Sequence, residues 1–208
     1  MVTVPHATGQ PRILRYSNVA VAFHWVTVAL VVTQAVLGFA FAEAARGAAY
    51  GTLFKWHKTL GVLILLIVLA RLAYRLKEPP PPFPVELPKR ERIAAVWNHR
   101  IFYFLLIVLP PIGFLAASSL AEGPTTPLVA GIDVPVVPGI DKATGELFAE
   151  IHGTLAIILV VLIVLHIAAA LKHQFYDHWR VSGRMPPFHA PNEDAVIGQG
   201  SAARSPEG

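Results

Sequence analysis

Cysteine is absent from these 208 residues. That excludes disulfides, iron–sulfur clusters and any prosthetic group attached through a C-x-x-C-H motif. Methionine is nearly absent too, occurring only as Met1 and Met185, so none of the four apolar runs below contains a thioether ligand. Charge is scarce: 14% of residues are Asp, Glu, Lys or Arg, against about 25% in ordinary soluble domains. A hydrophobic content of 54% and a mean hydropathy of +0.55 complete a membrane composition.

Four apolar runs stand out, at about Val19–Ala42, Leu53–Tyr74, Ile101–Ala117 and Ile151–Leu171. Each has roughly the 17–25 residues that a spanning helix needs. The first is long, follows Arg12 and Arg15 and contains His24 and Gln34, so it reads as a retained helix rather than a cleaved leader. Thirteen of the seventeen Lys and Arg residues fall in the N-terminus, the 71–100 segment and the C-terminal tail. Positive charge marks the cytoplasmic side, which places both termini and the middle connection inside. The pI near 9.6 then reports topology, not nucleic-acid binding. The expected fold is all-α, a transmembrane four-helix bundle with both termini cytoplasmic in a bacterial inner membrane. Residues 1–17 are a cytoplasmic lead, 18–186 the bundle, and 187–208 a disordered tail rich in Pro, Gly, Ser and Ala.

The connections differ in character. Pro79, Pro80, Pro81, Pro82, Pro84 and Pro88 make the inner one an extended strap that cannot propagate a helix. The outer loop, 118–150, is long enough to act as a lid. Its Asp133-Val134-Pro135 stretch has the makings of a short strand, but the reading does not count on one. Pro110 and Pro111 should kink the third helix, with neighbours or water satisfying the freed carbonyls.

Nine histidines remain to be placed. His6, His178 and His189 belong to the tails, and His173 just past helix four reads as solvated or interfacial. The other candidates sort by depth. His24 lies a turn below the inner surface and His166 deep toward the same side; His57 and His152 are shallow on the outer side. His152 and His166 share a face of helix four, fourteen residues and about 21 Å apart. Ionisable groups at such depth are expensive and signal function. A single one is as readily a polar contact or proton relay; two depth-matched pairs, His24 with His166 and His57 with His152, point to metal centres. Zinc usually takes three or four protein ligands, with thiolate or carboxylate help that only Glu150 could offer here. Two opposed imidazoles suit a six-coordinate haem b, whose porphyrin supplies the other four nitrogens.

Gly38, Gly61, Gly113, Gly153 and the Ala168–Ala170 run offer room for a flat macrocycle, although small residues also serve ordinary helix packing. Lys55 and Lys58 on the outer side, and Arg71, Arg75, His99 and Arg100 on the inner side, are available to haem propionates. Snorkelling to the interface explains any one of them equally well. Lys58, Arg71 and His99 are the candidate propionate contacts.

These segments resemble the bacterial cytochrome b561 family of di-haem membrane proteins. The matching stretches are Phe23-His24-Trp25, Trp56-His57-Lys58-Thr59-Leu60-Gly61, His99 at the start of helix three, and Leu109-Pro110-Pro111-Ile112-Gly113. Helix four adds Ile151-His152-Gly153-Thr154-Leu155 and Leu165-His166-Ile167-Ala168-Ala169-Ala170-Leu171-Lys172-His173, followed by Arg184-Met185. The likeness covers roughly residues 12–186. It implies that His24, His57, His152 and His166 are the axial ligands of two haem b groups. It also implies one-electron transfer with membrane quinone as a partner, and in some relatives superoxide as the outer donor. Lys55 and Lys58 could steer such an anion. Two alternatives stay open: the cytochrome b anchor of a larger redox complex fed by a dehydrogenase, and a haem-free membrane sensor or transporter.

Overall fold

The computed structural model describes residues 15–44, 47–83, 87–175 and residue 185. Most of the expected cytoplasmic lead and tail, with His6, His178, His189, Arg46 and Arg184, lies outside the described residues. Four long helices form the molecule: α1 (Asn18–Glu43), α2 (Ala48–Lys77), α3 (Lys89–Ser118) and α4 (Lys142–Phe175). All four are long and apolar enough to cross a membrane. The chain is an all-α transmembrane four-helix bundle with one small hairpin.

Side-chain contacts show the helices alternating in direction. Ser17 Oγ meets Tyr74 Oη at 2.8 Å beside the start of α1, while Phe41 packs on Tyr50 at its end. Along α3 and α4, Asn98 meets His166, and Leu109 meets His152. Packing is chiefly α1 on α2, α2 on α3 and α3 on α4. The tightest region is Leu105, Leu109 and Leu159, covered by Phe102, Leu106, Leu155 and Ile163. Many large apolar side chains point outward instead, among them Val36, Leu66, Phe104 and Val164. That surface would be an aggregation hazard in water but is the ordinary face of a helix in lipid, where apolar residues run all round.

Hydroxyls inside these helices satisfy themselves locally. Thr27, Thr33, Thr59 and Ser118 each donate to the carbonyl four residues back, which satisfies the hydroxyl within its own helix. Pro110 and Pro111 lie within α3 and do not end it.

Three sequence-based expectations change. Helix three begins at Lys89 rather than Ile101, so His99 lies well inside it instead of starting it. Helix four begins at Lys142 rather than Ile151, capped by Asp141 Oδ1, which accepts from the Thr144 amide at 2.8 Å. Hydropathy marks only the lipid-facing part of a helix. The 34 residues of α4 span about 51 Å, well beyond a hydrocarbon core of about 30 Å. His173 accordingly sits in the last turn of α4, 3.8 Å from Glu91 of α3, and not free in solvent beyond the helix.

The third change concerns the long loop. Asp133–Pro135 does form a strand (β2), paired antiparallel with Thr125–Pro127 (β1) and joined to it through a single 3₁₀ turn, Val129–Gly131. Leu128 N donates to Ile132 O at 2.7 Å to close the hairpin. The hairpin is strapped to the bundle. Val129 N donates to Thr59 Oγ1 at 3.0 Å, Lys58 Nζ donates to Thr126 Oγ1, and Val137 N donates to Ser118 Oγ at 3.2 Å. Leu128 and Thr126 are buried by this docking. The loop covers one end of α2 and α3, as a lid would.

Candidate functional site

Two clusters of histidine occupy separate levels of the bundle. At the hairpin end, His57 of α2 and His152 of α4 stand ring to ring. Their centroids are 6.1 Å apart and their planes cross at 79°. Two metal–nitrogen bonds of about 2 Å, plus the distance from each nitrogen to its ring centre, put opposed imidazoles roughly 6 Å apart across one metal. The centroid separation matches that of two rings sharing one metal. His152 Nδ1 lies 3.0 Å from the Leu109 carbonyl, to which it donates, so Nε2 keeps its lone pair for a metal. His57 Nδ1 is buried with no hydrogen-bond partner, as is Gln34 Oε1. Gln34 Nε2 donates to the His57 carbonyl at 3.0 Å, and Phe41 stacks edge-on to the His57 ring at 4.9 Å.

Glycine makes this level possible. A Cβ on Gly113 would lie 2.7 Å from His152 Cε1, and one on Gly38 would lie 3.2 Å from His57 Cε1. Gly61 approaches the Gln34 amide, whereas Gly153 has nothing near the position of a Cβ. Of the four glycines singled out in the sequence, Gly38 and Gly113 touch the histidines and Gly153 does not.

At the other end, His166 of α4 is held by three residues of α3. His99 packs against it at 5.7 Å and 89°, Phe102 at 5.4 Å and 85°, and Asn98 Nδ2 lies 3.0 Å from its Nδ1. His99 is itself fixed by its Nδ1, which donates to the Ala95 carbonyl at 2.7 Å. His24 of α1 lies within electrostatic range of both His99 and His166. Its Nδ1 takes a contact from Arg71 Nη2 at 3.3 Å. Arg71 and Arg75 also lie over the Tyr103 ring, at 5.7 and 5.8 Å.

The sequence-predicted cations thus have definite places. Arg71 reaches His24, and His99 belongs to the His166 cluster. Lys58 turns to the hairpin, bonded to Thr126 and 4.9 Å from the centre of the Phe54 ring. A cleft of about 860 Å³ opens there, lined by Phe54, Lys55, Trp56, Lys58, Thr126 and Leu128. Sequence reasoning missed Asn98, Phe41, Phe102 and the Leu109 carbonyl.

The donor set is imidazole alone. Among the described residues no three His, Cys, Asp or Glu side chains converge in the manner of a bare-ion site. Paired imidazoles would suit a macrocycle-bound metal that takes only two nitrogens from the protein.

Comparison with known proteins agrees. The family model described as prokaryotic cytochrome b561 matches residues 15–186. Cytochrome b561 homolog 2 of Escherichia coli (strain K12) is 32% identical over 165 residues, which is 78% of this chain and 86% of the relative. Probable superoxide oxidase CybB of Yersinia pestis is 28% identical over 166 residues, covering 77% of this chain and 89% of that protein. The chain belongs to the prokaryotic cytochrome b561 family, a family of haem b proteins that carry electrons in membranes.

Proposed function

We propose that this prokaryotic cytochrome b561 binds two haem b groups, one between His24 and His166 and one between His57 and His152, and passes single electrons between the two faces of a bacterial inner membrane. The observation that carries this reading is the 6.1 Å separation of the His57 and His152 rings. When bound, haem b would supply a one-electron iron couple. Histidine at all four positions, with no methionine within any of the four helices, favours lower potentials than a His–Met set.

The protein's own groups do the rest. The Leu109 carbonyl orients His152, and Asn98 engages His166. Gly38 and Gly113 keep side chains out of the space around the rings. Lys58, Arg71 and His99 are the groups available to propionates, although Lys58 must then share its ammonium with Thr126. The excess of Lys and Arg in the 71–100 segment and the termini supports cytoplasmic ends, which puts the hairpin outside.

Quinone is the proposed membrane partner. Superoxide is the proposed outer donor: a relative carries that activity in its name, and the exposed Lys55 beside the half-buried Lys58 would draw an anion to the cleft.

A reduced-minus-oxidised optical spectrum on wild type and four single His→Ala variants tests the reading. The expectation is two haem b per chain. One is lost from His24→Ala or His166→Ala, and the other from His57→Ala or His152→Ala. Absence of a b-type α band would leave a haem-free sensor or transporter. Rapid mixing of the loaded protein with quinol and with superoxide should reduce it in both cases. Reduction by neither would favour the anchor subunit of a larger complex.

A further inference from the structure

Three of the four proposed ligands have a hydrogen-bond partner at Nδ1, and the partners differ in what they can do. A neutral histidine that binds a metal through Nε2 carries its proton on Nδ1 and so needs an acceptor there. His152 has one in the Leu109 carbonyl, a backbone group that no side-chain substitution removes. His24 faces the Arg71 guanidinium, which has donors only. His166 faces the carboxamide of Asn98 at 3.0 Å. An amide has both ends, and a half turn about its last bond puts Oδ1 where Nδ2 now lies, with no other atom moved. Asn98 is therefore the one side chain among these partners able to accept from a ligating histidine.

The setting supports a positioning role. Asparagine is a poor helix former, and this one turns its amide across to α4. Here it lies on the same face of α3 as Phe102, whose ring stands edge-on to His166 at 5.4 Å, while His99 presses the ring at 5.7 Å. Phe102 and His99 restrict where the imidazole can lie. Neither bonds to it, so neither decides which nitrogen carries the proton.

We propose that Asn98 is a positioning residue for His166: its Oδ1 accepts the Nδ1 proton, fixes the ring for ligation through Nε2, and lowers the reduction potential of the haem that His166 holds. The inference rests on the proposed ligation by His166. An acceptor on Nδ1 gives the imidazole more donor strength, which favours ferric over ferrous iron. Each tenfold change in that preference moves a one-electron potential by about 59 mV.

The test is a redox titration of the fully loaded protein as wild type, Asn98→Leu and Asn98→Asp, followed optically and by the low-spin ferric electron paramagnetic resonance signal. Leucine keeps bulk but offers no acceptor. It should raise the potential of one haem by the equivalent of about tenfold in ligand preference and alter that haem's resonance. Aspartate, an acceptor only, should lower the same potential. The haem of His57 and His152 should stay where it was. Loss of the first haem from Asn98→Leu with retention in Asn98→Asp also supports the role. The proposal is overturned if the leucine variant leaves potential and resonance unmoved, if both variants shift in the same direction, or if both lose the haem. A wild type without two b-type haems would instead sink the functional reading itself.

Discussion

Replacing Gly113 by alanine puts a methyl carbon 2.7 Å from His152 Cε1 and 2.8 Å from its Nδ1. Comfortable contact begins at about 3.5 Å, so the ring must retreat by roughly 0.7–0.8 Å. The proposed His57–His152 clamp has no such slack. Its centroids are 6.1 Å apart, near the roughly 6 Å that one metal between two imidazoles requires, and metal–ligand distances tolerate about ±0.2 Å. The same retreat stretches the 3.0 Å bond from His152 Nδ1 to the Leu109 carbonyl toward breaking. Losing an outer-sphere bond of this type typically costs about 10–100-fold in affinity, and misplacement of the ligand adds to it. The variant should therefore lose one haem of the proposed two while the helix itself gains, since alanine is favoured over glycine by about 1 kcal/mol in a helix. Gly38→Ala should do less, because its Cβ meets His57 at 3.2 Å and asks for a shift of about 0.3 Å. Gly153→Ala should do nothing, having open space around it. Haem stoichiometry and the reduced α band of the three variants, purified with excess haem, read this order directly. Full loading of Gly113→Ala with a wild-type band would refute the steric argument, as would equal loss from Gly153→Ala.

Two further outcomes follow from the hairpin end. Ala130 is held at φ 64°, a left-handed conformation that costs a non-glycine residue about 1–2 kcal/mol, so Ala130→Gly should stabilise the turn by about 1 kcal/mol; slower hydrogen exchange at the Leu128 amide would register the gain, and unchanged or faster exchange would contradict it. The Thr144 amide holds the Asp141 carboxyl below the usual carboxylate range. A depressed folded value means that the cap contributes above the ordinary carboxylate range and fades as pH falls through the depressed value. Protection of the Thr144 amide should drop in that acid window in wild type, and should be flat there in Asp141→Asn, which caps without titrating.

Much of the fold was legible because lipid imposes a simple rule. Long apolar runs had to be helices, and their number and spacing were readable from hydropathy alone. Helix ends were not readable in that way. Lys89–Arg100 and Lys142–Glu150 are polar, and a hydropathy window stops where lipid stops, although the backbone has no reason to leave the helix before Pro88 or Asp141. The hairpin was half legible. Asp133-Val134-Pro135 looked like a strand, but its partner Thr125–Pro127 carries two threonines and a proline and offers no apolar alternation.

The site divides along the same line. Depth along a helix is a property of one segment, so the level of each histidine could be counted from the ends of its own run. That reasoning put His57 and His152 together, and the two rings do meet. What surrounds each ring depends instead on the rotation of one helix about its axis relative to another. No pattern within α3 tells that Asn98, rather than Trp97 or Arg100, turns toward α4, or that Gly113 lies under His152. His24 and His166 expose the limit most clearly. Their levels match by count, yet the rings that stand against His166 are Phe102 and His99, and counting had assigned His99 to a propionate. Depth therefore narrows the choice of ligands to a level, and only side-chain geometry distinguishes a ligand from the residue that positions it. At this level that distinction falls on Nδ1: His99 spends its own on Ala95, and His166 turns its own to Asn98. Both leave Nε2 open, so it is the His24→Ala, His166→Ala and Asn98 variants together that assign the clamp.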